Sequence, residues 1–194
     1  MANYKWRQIR TDKAPSTSGW KTSYMQSNGI LCWYIMRDSW GLSLNQSCGV
    51  LGNMQAEGYL NPAQWQIGSN YDASAGYGMF QFTPSTKYTN TVTSAVLGNA
   101  KKNGKAQLQW VLDNPGQWSS GHSMDGLKAL TSIHDAADYW CLYWERPASP
   151  NLDTRRAYAD TWYTVITGHT PPTPGGDIPI GGILKTLRDR FAFY

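Results

Sequence analysis

The sequence predicts a mainly α-helical domain carrying one small β-hairpin. Two observations lead there. Across residues 23–167 apolar side chains recur at helical spacing, and most such runs open on Ser or Asn and close on Gly or Pro. Almost no segment alternates as a half-buried strand does, and only residues 66–82 read as a hairpin. A polar arm at 1–22 precedes the domain. A linker at 168–182, with four prolines and five glycines, follows it and leads to a short tail at 183–194.

The arm carries Lys5, Arg7, Arg10 and Lys13 and is expected to pack on a neighbour rather than join the core. The first helix spans 23–40, with Ile30, Leu31, Tyr34 and Ile35 on its apolar side, and Gly41 ends it. Ser43 caps the second, which starts at Leu44. Leu44, Cys48, Leu51 and Met54 form its apolar stripe. Gly49 and Gly52 are costly inside a helix, so something must pack closely against that turn. Gly58, then Asn61-Pro62, stop it. Residues 61–66 form a polar, aromatic turn, and 70–78 an exposed loop. Thr83-Pro84 caps a Thr-rich helix running to about Leu97. Residues 98–104 read as a basic loop and 106–113 as a short helix, with a further loop at 115–122. Ser123 and Ser132 cap the next two helices, the second reaching Glu145 with Ala137, Trp140, Cys141 and Trp144 inward. Asn151 caps the last, 152–167, which carries Tyr158, Trp162 and Ile166.

Ten Trp and twelve Tyr suit stacking on flat ligands and a well-filled core alike. The net charge of +4 favours approach to an anionic surface but is too small and scattered for nucleic acid, and no nucleic-acid motif is present. Cys32, Cys48 and Cys141 sit in apolar helical contexts and read as buried thiols, their odd number arguing against a disulfide framework. No signal peptide opens the chain and no apolar run is long enough to enter and span a membrane, so synthesis in a cytoplasm is expected. No histidine shows metal-ligand spacing, so neither metal nor cofactor is expected.

Only two glutamates occur, Glu57 and Glu145. Glu57 lies on the last turn of the second helix, where the carbonyl end of the dipole opposes negative charge. That suits a group that must deliver a proton, although an ordinary surface glutamate fits the helix equally. The downstream stretch tips the balance. Gly76 and Gly78 let backbone approach a ligand closely, and Gln81 offers an amide among aromatic neighbours.

Three blocks carry a family resemblance. They are Cys48-Gly49-Val50-Leu51-Gly52-Asn53-Met54-Gln55-Ala56-Glu57; Asn61-Pro62 with Trp65-Gln66; and Gly76-Tyr77-Gly78 through Gln81 to Thr83-Pro84. They resemble the phage tail lysozyme family, wall-degrading domains at the tail tips of short-tailed phages that infect Gram-positive bacteria. The run from Trp144 through Glu145-Arg146-Pro147 to Asn151 resembles the same family's C-terminal Glu-Arg-Pro motif. The resemblance covers residues 23–167 and implies a lysozyme-like helical fold with Glu57 as catalytic acid. Family members usually carry Glu-Ser where this chain has Glu57-Gly58. They often add a metal-dependent endopeptidase domain after such a linker, and residues 183–194 show no zinc-ligand pattern.

The resemblance implies a virion protein of the tail tip that meets peptidoglycan glycan strands and other tail proteins, without membrane insertion. Its expected reaction is cleavage of the β-1,4 bond between N-acetylmuramic acid and N-acetylglucosamine, a muramidase reaction; a lytic transglycosylase is the alternative. Asp72 is the candidate second carboxylate, which an inverting hydrolase would hold about 6.5–9.5 Å from the acid. Glu145, beside Arg146 at a helix end, reads as a structural ion pair. Gln81, Tyr77, Gly78, Trp65, Asn61 and Tyr143 are candidate substrate contacts; Tyr143 and the other rings fit a core role as well. A structural tip protein that binds glycan without cutting it is a second reading. A third makes Cys48 the nucleophile of a wall amidase or endopeptidase, with His122 or His134 as base.

Overall fold

A computed structural model describes residues 4–168. Its helices are α1 (Pro15–Ser18), α2 (Thr22–Ile35), α3 (Leu44–Gly58), α4 (Thr86–Thr89), α5 (Ser94–Leu97), α6 (Ala100–Asp113), α7 (Met124–Lys128), α8 (Ile133–Trp140) and α9 (Leu152–Thr167). The chain is mainly helical, as the pattern predicts. The linker from residue 169 on, His169 within it, and the tail at 183–194 lie outside the described residues.

Helix α3 is the centre. Ser43 and Gln46 close a capping box: the Gln46 N–H donates to Ser43 Oγ at 3.3 Å, and the Ser43 N–H to Gln46 Oε1 at 2.8 Å. The Gln46 amide then donates to the Lys128 carbonyl at the end of α7 and to the Leu130 carbonyl beyond it, tying the helix start to the next layer. Helices α8 and α9 lie against α3. Its glycines make that approach possible. A Cβ on Gly49 would fall 2.6 Å from Ala137 N, and one on Gly52 2.5 Å from Arg155 O. The facing positions are also small, Ala136, Ala137 and Ala159, all buried. Two glycines cost roughly 1 kcal/mol each in a helix, and close packing of three helices offsets it. Tyr59, with φ of 52°, ends α3 one residue beyond Gly58.

Cys48, Leu51 and Met54 of the apolar stripe are fully buried. An aromatic cluster continues the core outward: Trp140 and Trp144 stack at 4.6 Å, and Phe80 meets Trp144 at 5.3 Å. All three cysteines are free and buried. Among the described residues, no helix is long and apolar enough to cross a membrane.

Several boundaries differ from expectation. The first helix ends its regular part at Ile35 and finishes as a wider turn, Met36–Trp40; α8 does the same over Cys141–Glu145. Residues 98–104 are not a loop. Asn99 Oδ1 accepts from the Lys102 N–H at 3.0 Å and starts α6 at Ala100, and Gly104 seats the Trp6 ring, 2.3 Å from where a Cβ would stand. The Thr-rich stretch after Pro84 breaks into α4 and α5. In place of the hairpin expected at 66–82 there are isolated bridges, Tyr77 with Phe82 and Tyr77 with Trp65 just before the range. Asn151 precedes α9 as expected, but its side chain accepts from the Thr154 hydroxyl, not from a backbone N–H.

The N-terminal arm packs on its own domain. Asn28 accepts from the Arg7 N–H and donates to the Arg7 carbonyl, at 2.9 and 2.8 Å. Asn61 clamps Ile9 in the same way at 3.1 and 2.7 Å. Each amide matches both backbone groups of one residue, and Thr11 adds a parallel bridge to Gln64.

Candidate functional site

Helix α3 delivers Glu57 to its carboxyl end, and α9 delivers Arg155 opposite it. Arg155 is the first member of the buried stripe Arg155, Ala159, Trp162, Tyr163 and Ile166. A guanidinium on such a stripe needs counter-charge. It has two. Arg155 Nη2 donates to Glu57 Oε1 and Nη1 to Glu145 Oε2, each at 2.5 Å. Two more of its N–H groups are placed: Nη1 donates to Asn53 Oδ1 at 2.8 Å and Nε to the Pro150 carbonyl at 2.7 Å. Asn53 is oriented in turn by donating to Gly49 O and Ala137 O.

Glu145 therefore does form an ion pair, but with Arg155 rather than Arg146. Arg146 turns away and donates to the Gln117 carbonyl at 3.1 Å. Trp140 Nε1–H donates to Glu145 Oε1 at 2.9 Å, so both carboxyl oxygens are engaged. Burial pushes the Glu145 carboxyl well above the usual glutamate range, and the neighbouring Glu57 charge adds to it. Arg155 and the Trp140 N–H pull the other way without cancelling it. The Glu145 and Arg155 side chains are 4% and 5% exposed, while Glu57 keeps 19%. The site thus has one solvent-facing carboxyl backed by a buried one.

Glu57 and Glu145 line a cleft of about 500 Å³. Gln81, Gln66, Thr83, Gln117, Lys87 and Arg146 supply further polar groups, and Phe80, Phe82 and Trp144 contribute to its walls. Amides and flat apolar surface in one cleft suit a carbohydrate. Of the residues expected from sequence to be catalytic or to touch substrate, Glu57 and Gln81 line this cleft together, beside Glu145, expected to be structural; Asp72, Asn61, Trp65, Tyr77, Gly78 and Tyr143 do not. Gln81 has φ of 46°, and its Nε2 donates to the Gly78 carbonyl at 2.9 Å. Asp72 is exposed and accepts from Ser74 at 2.7 and 2.8 Å, which holds its carboxyl below the usual range. Asn61 clamps the arm. Tyr77 is 4% exposed, with its hydroxyl accepting from Asn103 at 3.0 Å. Trp65 packs edge-on against Tyr71 and Tyr77. Tyr143 stacks on His122 at 3.5 Å. Gly78 takes φ of 84° and presses on Gln107, whose amide accepts from the Met79 N–H.

Sequence reading passed over Arg155. The available signal was an arginine one turn before Ala159 on the stripe that ends in Trp162 and Ile166, a position that buries it.

Gly58 has a local reason. A Cβ there would lie 2.2 Å from the Gly78 carbonyl oxygen and 3.0 Å from Met79 Cα. The 76–79 turn rests on the bare backbone beside Glu57. Gly58→Ser in this chain is expected to cost about 1–3 kcal/mol by overpacking, read as a lower urea midpoint with unchanged m.

Cys48 is fully buried, and burial pushes its thiol far above the ordinary value. It does not line the cleft. His134 pairs with Asp160 at 3.0 Å, and His122 contacts Ser119 and Ser120. This thiol has neither the ionisation nor the access of a nucleophile.

Residues 30–166 match the phage tail lysozyme family. One relative, morphogenesis protein 1 of Bacillus phage B103, is 33% identical over 139 residues, which is 70% of this chain and 38% of that protein. The chain therefore spans well under half of that relative's length. The helical architecture described above is of the lysozyme-like kind. The matched interval runs from within α2 to the last turn of α9 and carries Glu57, Glu145 and Arg155 together: the chain belongs to the phage tail lysozyme family.

Proposed function

We propose that the domain is a muramidase that cuts the β-1,4 bond between N-acetylmuramic acid and N-acetylglucosamine, acting from the phage tail tip during wall penetration. The observation that carries this reading is Glu57, the more exposed of two glutamates in a polar, aromatic cleft, held from behind by Arg155. Glu57 gives its proton to the glycosidic oxygen as the bond from that oxygen to the anomeric carbon breaks. Arg155 then stabilises the carboxylate left behind. A water adds to the anomeric carbon, giving a reducing muramic end, and its surplus proton restores Glu57. In this reading the cleft amides hold N-acetyl and hydroxyl groups, Gln81 through its Oε1, since its Nε2 donates to the Gly78 and Gln64 carbonyls.

The test is mass spectrometry of Gram-positive peptidoglycan digested by wild type and by Glu57→Gln. Reducing muropeptides are expected from wild type, falling about 10²–10⁴-fold in the variant. Anhydro-muropeptides would move the protein to the lytic transglycosylases. Glycan binding without products would favour a structural tip role, and cleaved stem peptides from both proteins would end the glycosidase reading.

A further inference from the structure

We propose that Glu145 is a positioning residue for Glu57, acting through the guanidinium that both carboxyls share, and that it sets the pH range over which Glu57 donates its proton. This rests on the muramidase reading. The geometry is that of one cation between two acids. Arg155 gives one terminal nitrogen to each, and Asn53 and the Pro150 carbonyl take two more of its N–H groups. If both glutamates were ionised, the trio would carry a net negative charge around a guanidinium that is only 5% exposed. Desolvation opposes that state. The trio is neutral when the two glutamates hold one proton between them, and only Glu57 keeps appreciable exposure toward the cleft. Once Glu145 ionises, it competes with the Glu57 carboxylate for Arg155. Two carboxyls so linked titrate as one unit rather than separately.

The charged groups around them fit this assignment. On the turn after α8, the Cys141 thiol donates to Pro150 O and is pushed up to about 12, so it adds no charge near neutrality. Arg146 is engaged with the Gln117 carbonyl, and Lys87 reaches Gln117 Oε1 at 3.4 Å. Neither makes an ion pair with Glu145 or Glu57. Arg155 is the cation that does, from α9, and Glu57 faces it from α3.

Because the chain holds only two glutamates, their carboxyls can be read directly. Glutamate labelled with carbon-13 at its side-chain carboxyl gives two titrating carboxyl resonances in the whole protein. Expected in wild type are two resonances that both move through each of two shared steps. In Glu57→Gln the remaining resonance, that of Glu145, should show a single step. Two independent single-step curves in wild type would overturn the proposal, and this readout needs no activity. The kinetic arm uses Glu145→Gln, which removes the charge and keeps one oxygen, able to accept from either Trp140 or Arg155. With the second negative charge gone, the basic limb of the pH–rate profile should move to lower pH. A uniformly lower rate at an unshifted profile would overturn the proposal as well. If peptidoglycan is cut no less by Glu57→Gln, the muramidase reading fails, whatever the resonances do.

Discussion

Arg155→Met is expected to cost about 3–5 kcal/mol of stability at pH 7 and to remove cleavage. Methionine keeps much of the buried stem but leaves Glu145, 4% exposed, and Glu57 without a counter-charge. The Asn53 and Pro150 oxygens also lose their donor. Those losses dominate because removing one member of a buried pair strands the other, whereas replacing every member together is often neutral. The pH dependence follows from Glu145. Its native carboxyl binds protons above the usual glutamate range. Its contribution is therefore fully present below that range and declines as the pH rises through the native titration. Arg155 opposes the upward shift in wild type, so in the variant Glu145 holds its proton to higher pH. Protonation relieves the stranded charge, and the gap between wild type and variant should narrow at low pH. Urea unfolding of both proteins at pH 5 and pH 8 checks this. A gap below about 1 kcal/mol at both values would mean that the guanidinium is not the shared partner.

Much of this architecture was legible in the sequence because it is locally encoded. Ser43 with Gln46, the Gly58 and Asn61-Pro62 stop, and the stripe of the last helix are signals within a few residues of the ends they define. Gly49 and Gly52 announced a close neighbour without saying which. What failed depends on distant residues. Asn99 and the lysines after it looked like a loop, but Gly104 receives Trp6 from the arm and α6 extends back to Ala100. The site divided in the same way. Glu57 could be picked out because the acidic residues include only two glutamates and one sits at a helix end beside a Gly-rich loop. Glu145 was paired with Arg146 by adjacency, yet consecutive residues on a helix do not face each other; its partner comes from α9. Asn61, Tyr77 and Trp65 are the residue types of a sugar site, but here they hold the arm and the 65–77 bridge. Residue type alone does not distinguish a clamp from a ligand contact.

Gly52→Ala is expected to weaken both fold and site through one displacement. Alanine is favoured over glycine inside a helix by roughly 1 kcal/mol, so propensity alone predicts a gain. The packing predicts the opposite. The new Cβ would stand 2.5 Å from the Arg155 carbonyl oxygen, 2.8 Å from Ala159 N and 3.0 Å from Ala159 Cβ. Two of these atoms are backbone and cannot rotate aside, so α9 as a whole must move off α3. Overpacking of this kind costs about 1–3 kcal/mol, and the clash is with the residue that holds Glu57. A shift of about 1 Å at Arg155 is expected to lower cleavage by about 10²-fold, since the acid loses its fixed orientation. Gly116→Ala is the control: nothing stands within 4 Å of its Cβ position, and it should match wild type in both stability and rate. The informative measurement is stability and activity together in the Gly52 variant. A stabilised, fully active Gly52→Ala protein would mean that α3 and α9 are not seated as closely as described, and with that the clamp on Glu57 would lose its physical basis.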